Sequence, residues 1–290
     1  MNVISQMNGG GQRGRCVPVL RESNVMLQTA KSCAWPRGDL AGNGPVATAW
    51  RAGGEQAVRG LVESRLSFRT EPVSTMVGQR APLYAECLAR LYDGGKSWLP
   101  NSFLPQLEML GLMRWFDGLV FERVVDRLQQ DPLHSLACNL SASSAVWDEQ
   151  WEQMFGRLSS VPDVASRLVV EITESAPLDV VQGRNFIRRL RHQGCRIAVD
   201  DFGAGYGVAT GMAIGNPDIV KLDASVVAAA RDDVIGCRNL HALSAIAAEL
   251  APEVVIEGIE TEKDLHLAGQ TSAQWFQGRY AGTMRPDATS

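Results

Sequence analysis

The side chains best suited to chemistry are carboxylates and amides that stand at the ends of short apolar segments. Asn139 lies near the end of LACNL, Glu171 lies near the end of RLVVEI, and the pair Asp200 and Asp201 directly follows RIAV. Oxygen donors of this kind are the ligands that Mg²⁺ and Mn²⁺ prefer in proteins. We therefore predict a divalent-metal site with six ligands: Glu86, Asn139, Glu171, Asp200, Asp201 and Glu257.

The pattern of these donors favours a reaction at phosphorus. Asp200 and Asp201 are adjacent, and adjacent carboxylates can bridge or flank two ions. Two ions about 3.5–4 Å apart activate a water molecule and stabilise the leaving oxygen in phosphodiester hydrolysis. Lys221 and Arg90 are cations that could hold a water molecule or a phosphate oxygen by charge-assisted hydrogen bonds. The chemistry predicted is metal-assisted hydrolysis of a phosphate ester.

From about residue 65 onward, short apolar segments alternate with longer helical patterns. This alternation indicates a parallel sheet covered by helices, and eight strands indicate an α/β fold of the TIM-type (β/α)8 barrel class. In such barrels the active site lies at the C-terminal ends of the strands, which is where the polar residues stand. The predicted strands are Ser67–Pro72, Pro82–Leu88, Ser135–Leu140, Arg167–Ile172, Cys195–Val199, Asp218–Leu222, Glu253–Ile256 and Ala273–Phe276.

Helical periodicity predicts helices over Phe103–Leu128, Val180–His192 and Leu240–Leu250. Residues 1–60 are rich in glycine and show no sustained periodicity, so we predict an irregular N-terminal extension there. The expected division is an extension over residues 1–60 and a barrel domain over residues 61–290.

The composition limits the classes of function. The chain is 45% hydrophobic and 21% charged, with a net charge of -4 and no strong basic stripe, so no nucleic-acid binding is expected. No segment approaches the roughly 18 apolar residues of a membrane span, and no apolar leader is visible, so a cytoplasmic protein is expected. The six cysteines are scattered and the four histidines show no zinc-ligand spacing. Cys87 and Cys138 are expected to fill the core.

Seven short motifs occur in order between residues 65 and 286, and together they resemble the EAL-domain cyclic di-GMP phosphodiesterase family. The family signature Glu-Ala-Leu-x-Arg is matched by the first motif except for Cys87. The motifs are Glu86-Cys87-Leu88-Ala89-Arg90, Asn139-Leu140-Ser141, Glu171-Ile172-Thr173-Glu174, Asp200-Asp201-Phe202-Gly203-Ala204-Gly205-Tyr206, Lys221-Leu222-Asp223, Glu257-Gly258-Ile259-Glu260 and Gln277-Gly278, followed by Arg285-Pro286.

The resemblance implies a role for each matched catalytic residue. Four of the predicted ligands serve a first metal ion, and Asp200 and Asp201 serve a second. Lys221 and Glu257 orient and deprotonate the attacking water, and Glu174 tethers the loop that follows Asp201. The ligands implied for the first metal are Glu86, Asn139, Glu171 and Asp200.

The resemblance also implies which residues bind the substrate. Leu88 resembles a hydrophobic contact to the nucleotide, Arg90 resembles a phosphate contact, and Gln277 supports the far side of the site. The chain departs from the family pattern at Glu71, where the early motif carries Gln, and at Gly207, where Ser is common. Glu71 and Asp223 complete the predicted substrate-binding residues.

For the whole domain, the resemblance implies hydrolysis of cyclic di-GMP to linear 5′-pGpG with Mg²⁺ or Mn²⁺ in a two-metal site. It further implies inhibition by Ca²⁺ and a homodimer through the region near the Asp200-Asp201 loop.

Other interpretations of these residues stay open. Taken alone, Asp200 and Asp201 could form a turn or a helix N-cap, and Arg90 and Lys221 could be ordinary salt-bridge partners. Taken together, the chain could be an EAL-like receptor or protein-interaction module with little or no turnover. It could also be a different metallo-phosphoesterase, because a fold alone does not determine a substrate.

Overall fold

Strands from the whole length of the domain form a single sheet that closes on itself. The structure, a computed structural model, describes residues 44–76, 81–173, 177–231 and 233–280, all within the unit Asp39–Ser290. In this part of the chain the strands are β1 (Leu66–Thr75), β2 (Tyr84–Asp93), β3 (Lys96–Trp98), β4 (Leu136–Ser141), β5 (Leu168–Thr173), β6 (Arg196–Phe202), β7 (Ile219–Leu222), β8 (Glu253–Ile256) and β9 (Trp275–Phe276).

The order around the sheet is β1-β9-β8-β7-β6-β5-β4-β2, and pairing of β1 with β2 closes the ring. The predicted barrel and its eight predicted strands are thereby confirmed. One strand departs from the all-parallel pattern, because β1 runs antiparallel to both β2 and β9. The connection between β1 and β2, residues 76–83, is shorter than the dozen or so residues that a parallel crossover needs. The short β3, which the sequence did not predict, pairs with β2 outside the ring.

Helices cover the outside of the barrel. They are α1 (Pro45–Arg65), α2 (Leu104–Met109), α3 (Met113–Gln130), α4 (Glu149–Ser159), α5 (Pro162–Ser166), α6 (Val180–Gln193), α7 (Gly207–Ile214), α8 (Ala224–Ala230), α9 (Val234–Leu250) and α10 (Glu262–Ala268). The predicted helix over Val180–His192 is confirmed as α6. The helix predicted from Leu240 begins earlier, at Val234, because the Asp233 side chain caps it by accepting from the Gly236 amide.

Two predictions about the first half of the chain need correction. The expected irregular structure is wrong for residues 45–60, which lie in α1, and the boundary expected at residue 60 falls inside that helix. The backbone at Gly53 and Gly54 kinks α1, which explains its weak periodicity in the sequence. The single helix predicted over Phe103–Leu128 is two helices, because Gly111 adopts φ 68 and ends α2.

The main core lies between the barrel and its helices. An aromatic group on α3, α4 and α6 is packed edge to face there, with Phe121 and Trp151 ring centroids 5.4 Å apart. Cys87 and Cys138 are buried in the same layer, as predicted. No described helix is both long and apolar enough to cross a membrane. Residues 1–43 and 281–290, which include Arg285 and Pro286, lie outside the described residues.

Candidate functional site

The barrel lumen contains two layers of side chains that differ by two positions along each strand. The lower layer, a buried apolar cluster, contains Val73, Tyr84, Ala137, Val169, Ala198, Ile219 and Val255, with Trp275 packed against it. Successive side chains of a strand point to opposite faces, so the residue two positions nearer the C-terminal face also points inward. That step reaches the upper layer: Glu71, Glu86, Asn139, Glu171, Asp200, Lys221, Glu257 and Gln277.

Each of the eight barrel strands thus contributes one polar residue to the upper layer. On β1 the step runs backward along the chain, from Val73 to Glu71, because this strand is antiparallel. The register pairs Glu71 with Glu86, which places both acids on the same face. The strand ends therefore converge on one site, as the sequence predicted.

Lys221 lies at the centre of the upper layer. Its Nζ atom is 2.7 Å from Glu257 Oε1, 3.0 Å from Glu171 Oε2, 3.0 Å from Asp200 Oδ1 and 3.2 Å from Glu86 Oε2. The lysine side chain is buried, and the surrounding carboxylates are buried or nearly so. Four acids face one ammonium group, so the acids outnumber the cation that can balance their charge.

Amide side chains complete the contacts of Glu86. Asn139 donates through Nδ2 to Glu86 Oε1 at 2.7 Å, and Gln277 donates through Nε2 to Glu86 Oε2 at 2.6 Å. These bonds orient Asn139 Oδ1 and Gln277 Oε1, which are buried and accept no hydrogen bond from the described residues. Buried carbonyl oxygens without a donor are available as ligands for a cation.

The upper layer shifts the pKa of its members in different directions. Burial alone would raise the pKa of Glu86, but the Lys221 charge and the two amide donors outweigh it, so that pKa lies below the usual value. Burial and the negative charge of Glu86 raise the pKa of Glu171 well above the usual value. Burial raises the pKa of Asp200 and, with help from the charge of Asp200, raises the pKa of Glu257 to about 8. Lys221 keeps its proton, since the surrounding acids outweigh burial and raise its pKa.

The end of β6 brings a second group of acids together. Oxygen atoms of Asp200, Asp201 and Glu257 all lie within 4.8 Å of one another. The β6–β7 register shifts between Val199 and Phe202, and Asp201 adopts φ 54, so both aspartates reach the same side. Positive φ is tolerated better by Asp than by most residues.

The backbone packs closely behind this turn. A Cβ atom at Gly207 would lie 2.4 Å from the Asp201 carbonyl oxygen, so any larger residue requires the turn to move. Glycine at this position therefore fits the Asp201 turn, and the family's common serine does not fit it unchanged.

Cavities open on two sides of the upper layer. One, of about 340 Å³, lies against α2 and α3 and is lined by Leu88, Asn139, Asp200 and the buried Asp117. The other, of about 420 Å³, is lined by Glu71, Glu86, Leu88, Asp200, Glu257, Gln277 and Arg279, among others. Glu86 and Leu88 lie on the same face of β2, and Leu88 lines both cavities. A ligand with two bulky ends could thus lie across the carboxylates.

Two predicted substrate contacts are less direct. Arg90 is partly buried on the lumen face of β2, donates to its neighbour's carbonyl, Ala89 O, and acts on Glu71 through its charge. Asp223 caps α8 by accepting from the Ser225 amide at 3.0 Å. This capping role is the ordinary use of Asp at a helix start. Glu174 lies outside the described residues.

Two residues of the site were not predicted. Tyr84 donates its hydroxyl to Glu171 Oε1 at 2.7 Å, and its position two residues before Glu86 was the available signal. Asp117 on α3 accepts from the Ser141 amide at 3.1 Å. Burial raises the pKa of Asp117 to about 7. It lies on the apolar face of a helix, where sequence patterns suggest only packing.

The residues present fit a divalent metal. The layer combines hard oxygen donors, an excess of buried carboxylates and the free acceptor Asn139 Oδ1. Buried carboxylates without enough countercharge are costly, and bound cations offset that cost. The six predicted ligands lie on β2, β4, β5, β6 and directly after β8, all at one end of the lumen.

Comparison with known proteins places this arrangement in a family. The model of the EAL domain family matches residues 55–283. Cyclic di-GMP phosphodiesterase PdeF of Escherichia coli K12 is 27% identical over 232 residues, which is 78% of this chain and 31% of PdeF. Cyclic di-GMP phosphodiesterase PA2567 of Pseudomonas aeruginosa is 33% identical over 175 residues, which is 58% of this chain and 30% of PA2567. The chain spans about a third of the length of these relatives.

Solved structures share the fold. The S helix-GGDEF-EAL portion of Vibrio cholerae LapD, bound to c-di-GMP, superposes with a TM-score of 0.68 at 23% identity, covering 81% of this chain and 57% of that one. The Xanthomonas citri FimX EAL domain in complex with c-di-GMP gives a TM-score of 0.67 at 18% identity, covering 78% and 90%. With the family model matching most of the described domain, the chain belongs to the EAL domain family.

Proposed function

We propose that this chain hydrolyses one phosphodiester bond of cyclic di-GMP and releases linear 5′-pGpG, with Mg²⁺ or Mn²⁺ as cofactor. The observation that carries the proposal is the upper lumen layer, where four carboxylates and two amides surround Lys221. Named cyclic di-GMP phosphodiesterases among the relatives support the choice of substrate. A cytoplasmic location is part of this proposal.

The proposal assigns roles to residues of the upper layer. Bound metal would supply a water of lowered pKa and offset charge on the phosphate. The proposed metal-binding residues are Glu86, Asn139, Glu171, Asp200, Asp201 and Glu257. Lys221, 2.7 Å from Glu257, orients that carboxylate toward the site, and Glu257 accepts the proton of the attacking water.

The two cavities supply room for the two halves of a cyclic dinucleotide. Leu88 borders both, and the Gln277 side chain borders the cavity that also contains Arg279. Arg90, on the same face of β2 as Glu86, is proposed to approach a phosphate from the rim, since an arginine fork suits phosphate oxygens.

Turnover of cyclic di-GMP by the purified chain tests the proposal directly. Product would be separated by chromatography after incubation with Mg²⁺, Mn²⁺, Ca²⁺ or EDTA. We expect 5′-pGpG with Mg²⁺ or Mn²⁺, none with EDTA, and suppression when Ca²⁺ competes for the same oxygen donors. Product formation undiminished in EDTA would refute the metal requirement.

Substitution of a proposed ligand provides the matched test. Glu86→Ala should abolish turnover, because it removes a ligand and the acceptor of both amide hydrogen bonds. The fold should persist, because Lys221 keeps three carboxylate partners. Glu249→Ala, on the exposed face of α9, is the control and should match the wild type. Full activity in Glu86→Ala would show that the site assignment is wrong.

One observation favours a second candidate, a receptor that binds cyclic di-GMP without turnover. Glu71 faces the lumen beside Glu86, and burial together with the charge of Glu86 raises its pKa. When ionised, this additional acid would keep the reacting phosphate away from the metal-binding residues, which disfavours hydrolysis of a nucleotide bound in the two cavities. Measurable binding of the nucleotide with no product in Mn²⁺ would establish this candidate in place of the enzyme.

The proposal includes a homodimer formed near the Asp200-Asp201 loop. Tyr206, which follows that loop, and Met212 on α7 are both exposed apolar side chains. A dimer interface in this region would cover both side chains. Light scattering across a concentration series would test this, and a purely monomeric protein at high concentration would refute it.

A further inference from the structure

Tyr84 places a hydroxyl group among the aliphatic side chains of the lower layer of the lumen. The tyrosine is 1% exposed, and the residues around it in this cluster are aliphatic: Val73, Ala137, Val169, Ala198, Ile219 and Val255. A hydroxyl group buried among aliphatic side chains is costly unless it is hydrogen-bonded. The Tyr84 hydroxyl donates to Glu171 Oε1, at 2.7 Å, in the upper layer.

The barrel topology explains how this contact forms. Tyr84 lies on β2 and Glu171 lies on β5, with β4 between them. The lower-layer residue of β4 is Ala137, whose small side chain leaves room for the tyrosine ring to extend across the strand. The contact thus spans a strand whose own lower-layer side chain is small.

Glu171 is held at both of its oxygen atoms. Lys221 Nζ lies 3.0 Å from Oε2, and the Tyr84 hydroxyl donates to Oε1. Lys221 also contacts three other carboxylates, so it cannot fix the orientation of Glu171 by itself. Tyr84 supplies a donor directed at this one carboxylate from below.

We propose that Tyr84 is a positioning residue that holds the Glu171 carboxylate in the orientation required to bind the divalent metal. The inference rests on the proposed function, because it takes Glu171 as a metal ligand. Groups that hydrogen-bond to metal ligands orient them, and their loss typically weakens metal affinity by about 10–100-fold. If Tyr84 only filled the lumen, phenylalanine would replace it without consequence for the metal.

Isothermal titration with Mn²⁺ on the purified chain tests this inference without requiring turnover. Tyr84→Phe should bind Mn²⁺ about 10–100-fold more weakly than the wild type. The matched control is Tyr92→Phe, a substitution of a half-exposed tyrosine on the same strand, and it should leave the affinity unchanged. Thermal unfolding in EDTA confirms that both variants are folded, as the retained ring predicts.

A double-substitution cycle shows whether Tyr84 acts through Glu171. In the Glu171→Gln background, adding Tyr84→Phe should weaken Mn²⁺ binding by less than twofold. In turnover assays, excess Mn²⁺ should restore the kcat of Tyr84→Phe while the KM for cyclic di-GMP stays unchanged. A merely structural role would not give this metal-dependent rescue.

The outcomes separate the two proposals. Wild-type protein that binds no Mn²⁺ would refute the metal site of the proposed function, and this inference with it. Wild-type protein that binds Mn²⁺ with the same affinity as Tyr84→Phe would refute only the positioning role of Tyr84. The positioning role would also be refuted if Tyr84→Phe weakened Mn²⁺ binding by the same factor in the wild type and in the Glu171→Gln background.

Discussion

The two layers of the barrel lumen are built on the same strands, two residues apart, and do opposite things. The lower layer is apolar, with Val169, Ala198 and Ile219 at most 1% exposed. The upper layer collects four carboxylates around one lysine. Burial of apolar side chains stabilises the folded chain, whereas burial of unequal charges opposes folding. The comparison indicates that burial of the apolar lower layer offsets the free-energy cost of burying the charged groups of the upper layer.

The largest expected effect comes from removing the central cation of the upper layer. Lys221→Met leaves the buried acids of the upper layer without the cation they share, so the metal-free protein should lose about 3–5 kcal/mol of unfolding free energy. Turnover should also be lost, because Glu257 loses its partner. Urea denaturation in EDTA measures the first effect and the chromatographic assay measures the second.

Lys96→Met, at the exposed β3 hairpin, is the control for Lys221→Met and should leave turnover unchanged. Addition of Mn²⁺ should recover part of the stability lost in Lys221→Met, since the cation replaces the missing charge. If Lys221→Met were as stable as the wild type in EDTA, the proposed energetic difference between the two layers would be wrong.

A smaller effect, confined to stability, is expected from the lower layer. Ile219→Ala removes a fully buried side chain two residues before Lys221 and should cost about 2–5 kcal/mol in urea denaturation. Mn²⁺ affinity should change little, because no proposed ligand is altered.

The control for Ile219→Ala is Ile235→Ala, at an exposed position of α9, which should change the unfolding free energy by about 0.5 kcal/mol or less. If Ile219→Ala weakened Mn²⁺ binding as much as Glu86→Ala does, the two layers would not be separable in function.

The most gradual effect, spread over several pH units, concerns the upper layer in the absence of metal. The pKa of Glu257 rises from 4.5 to about 8 on folding, so the folded chain binds this proton more tightly than the unfolded chain. The stabilising contribution of that proton is complete below pH 4.5 and is lost as pH rises toward 8. The slope attributable to Glu257 should be on the order of 1 kcal/mol per pH unit.

Glu257→Gln cannot titrate, so its unfolding free energy in EDTA should fall less steeply than that of the wild type between pH 5 and pH 8. Glu249→Gln, on the exposed side of α9, should keep the wild-type slope. Equal slopes in the wild type and Glu257→Gln would show that Glu257 titrates normally in the folded protein.

Much of this site follows from local patterns in the sequence. Polar residue types identified most of the upper-layer positions as chemical candidates, whereas Glu71 entered through the resemblance to the family. Asp223 was assigned to substrate because its motif matched, and the structure shows its side chain capping α8, so the substrate role stays a prediction. A motif cannot separate a capping aspartate from a binding one, because both follow a strand directly.

The errors in the fold have related causes. The sequence predicts an element from periodicity, and α1 loses its periodicity at the Gly53–Gly54 kink. The hydrophobic pattern over Phe103–Leu128 is continuous, but Gly111 adopts a positive φ and ends the first helix. Hydrophobic periodicity does not reveal the φ angle of a glycine, so this break was missed. The short connection between β1 and β2 makes these strands antiparallel because they pair with each other. The sequence does not show which strands pair, so the direction of β1 could not be predicted from it.

The sequence by itself determined which side chains share a face of each strand, because alternation with period two is a local property of extended backbone. Only the tertiary structure decided which of them meet. Tyr84 and Glu171 are 87 positions apart, Lys221 and Glu86 are 135 apart, and Gln277 and Glu86 are 191 apart. These contacts exist because β1 closes the ring between β9 and β2, which brings both ends of the domain to one lumen.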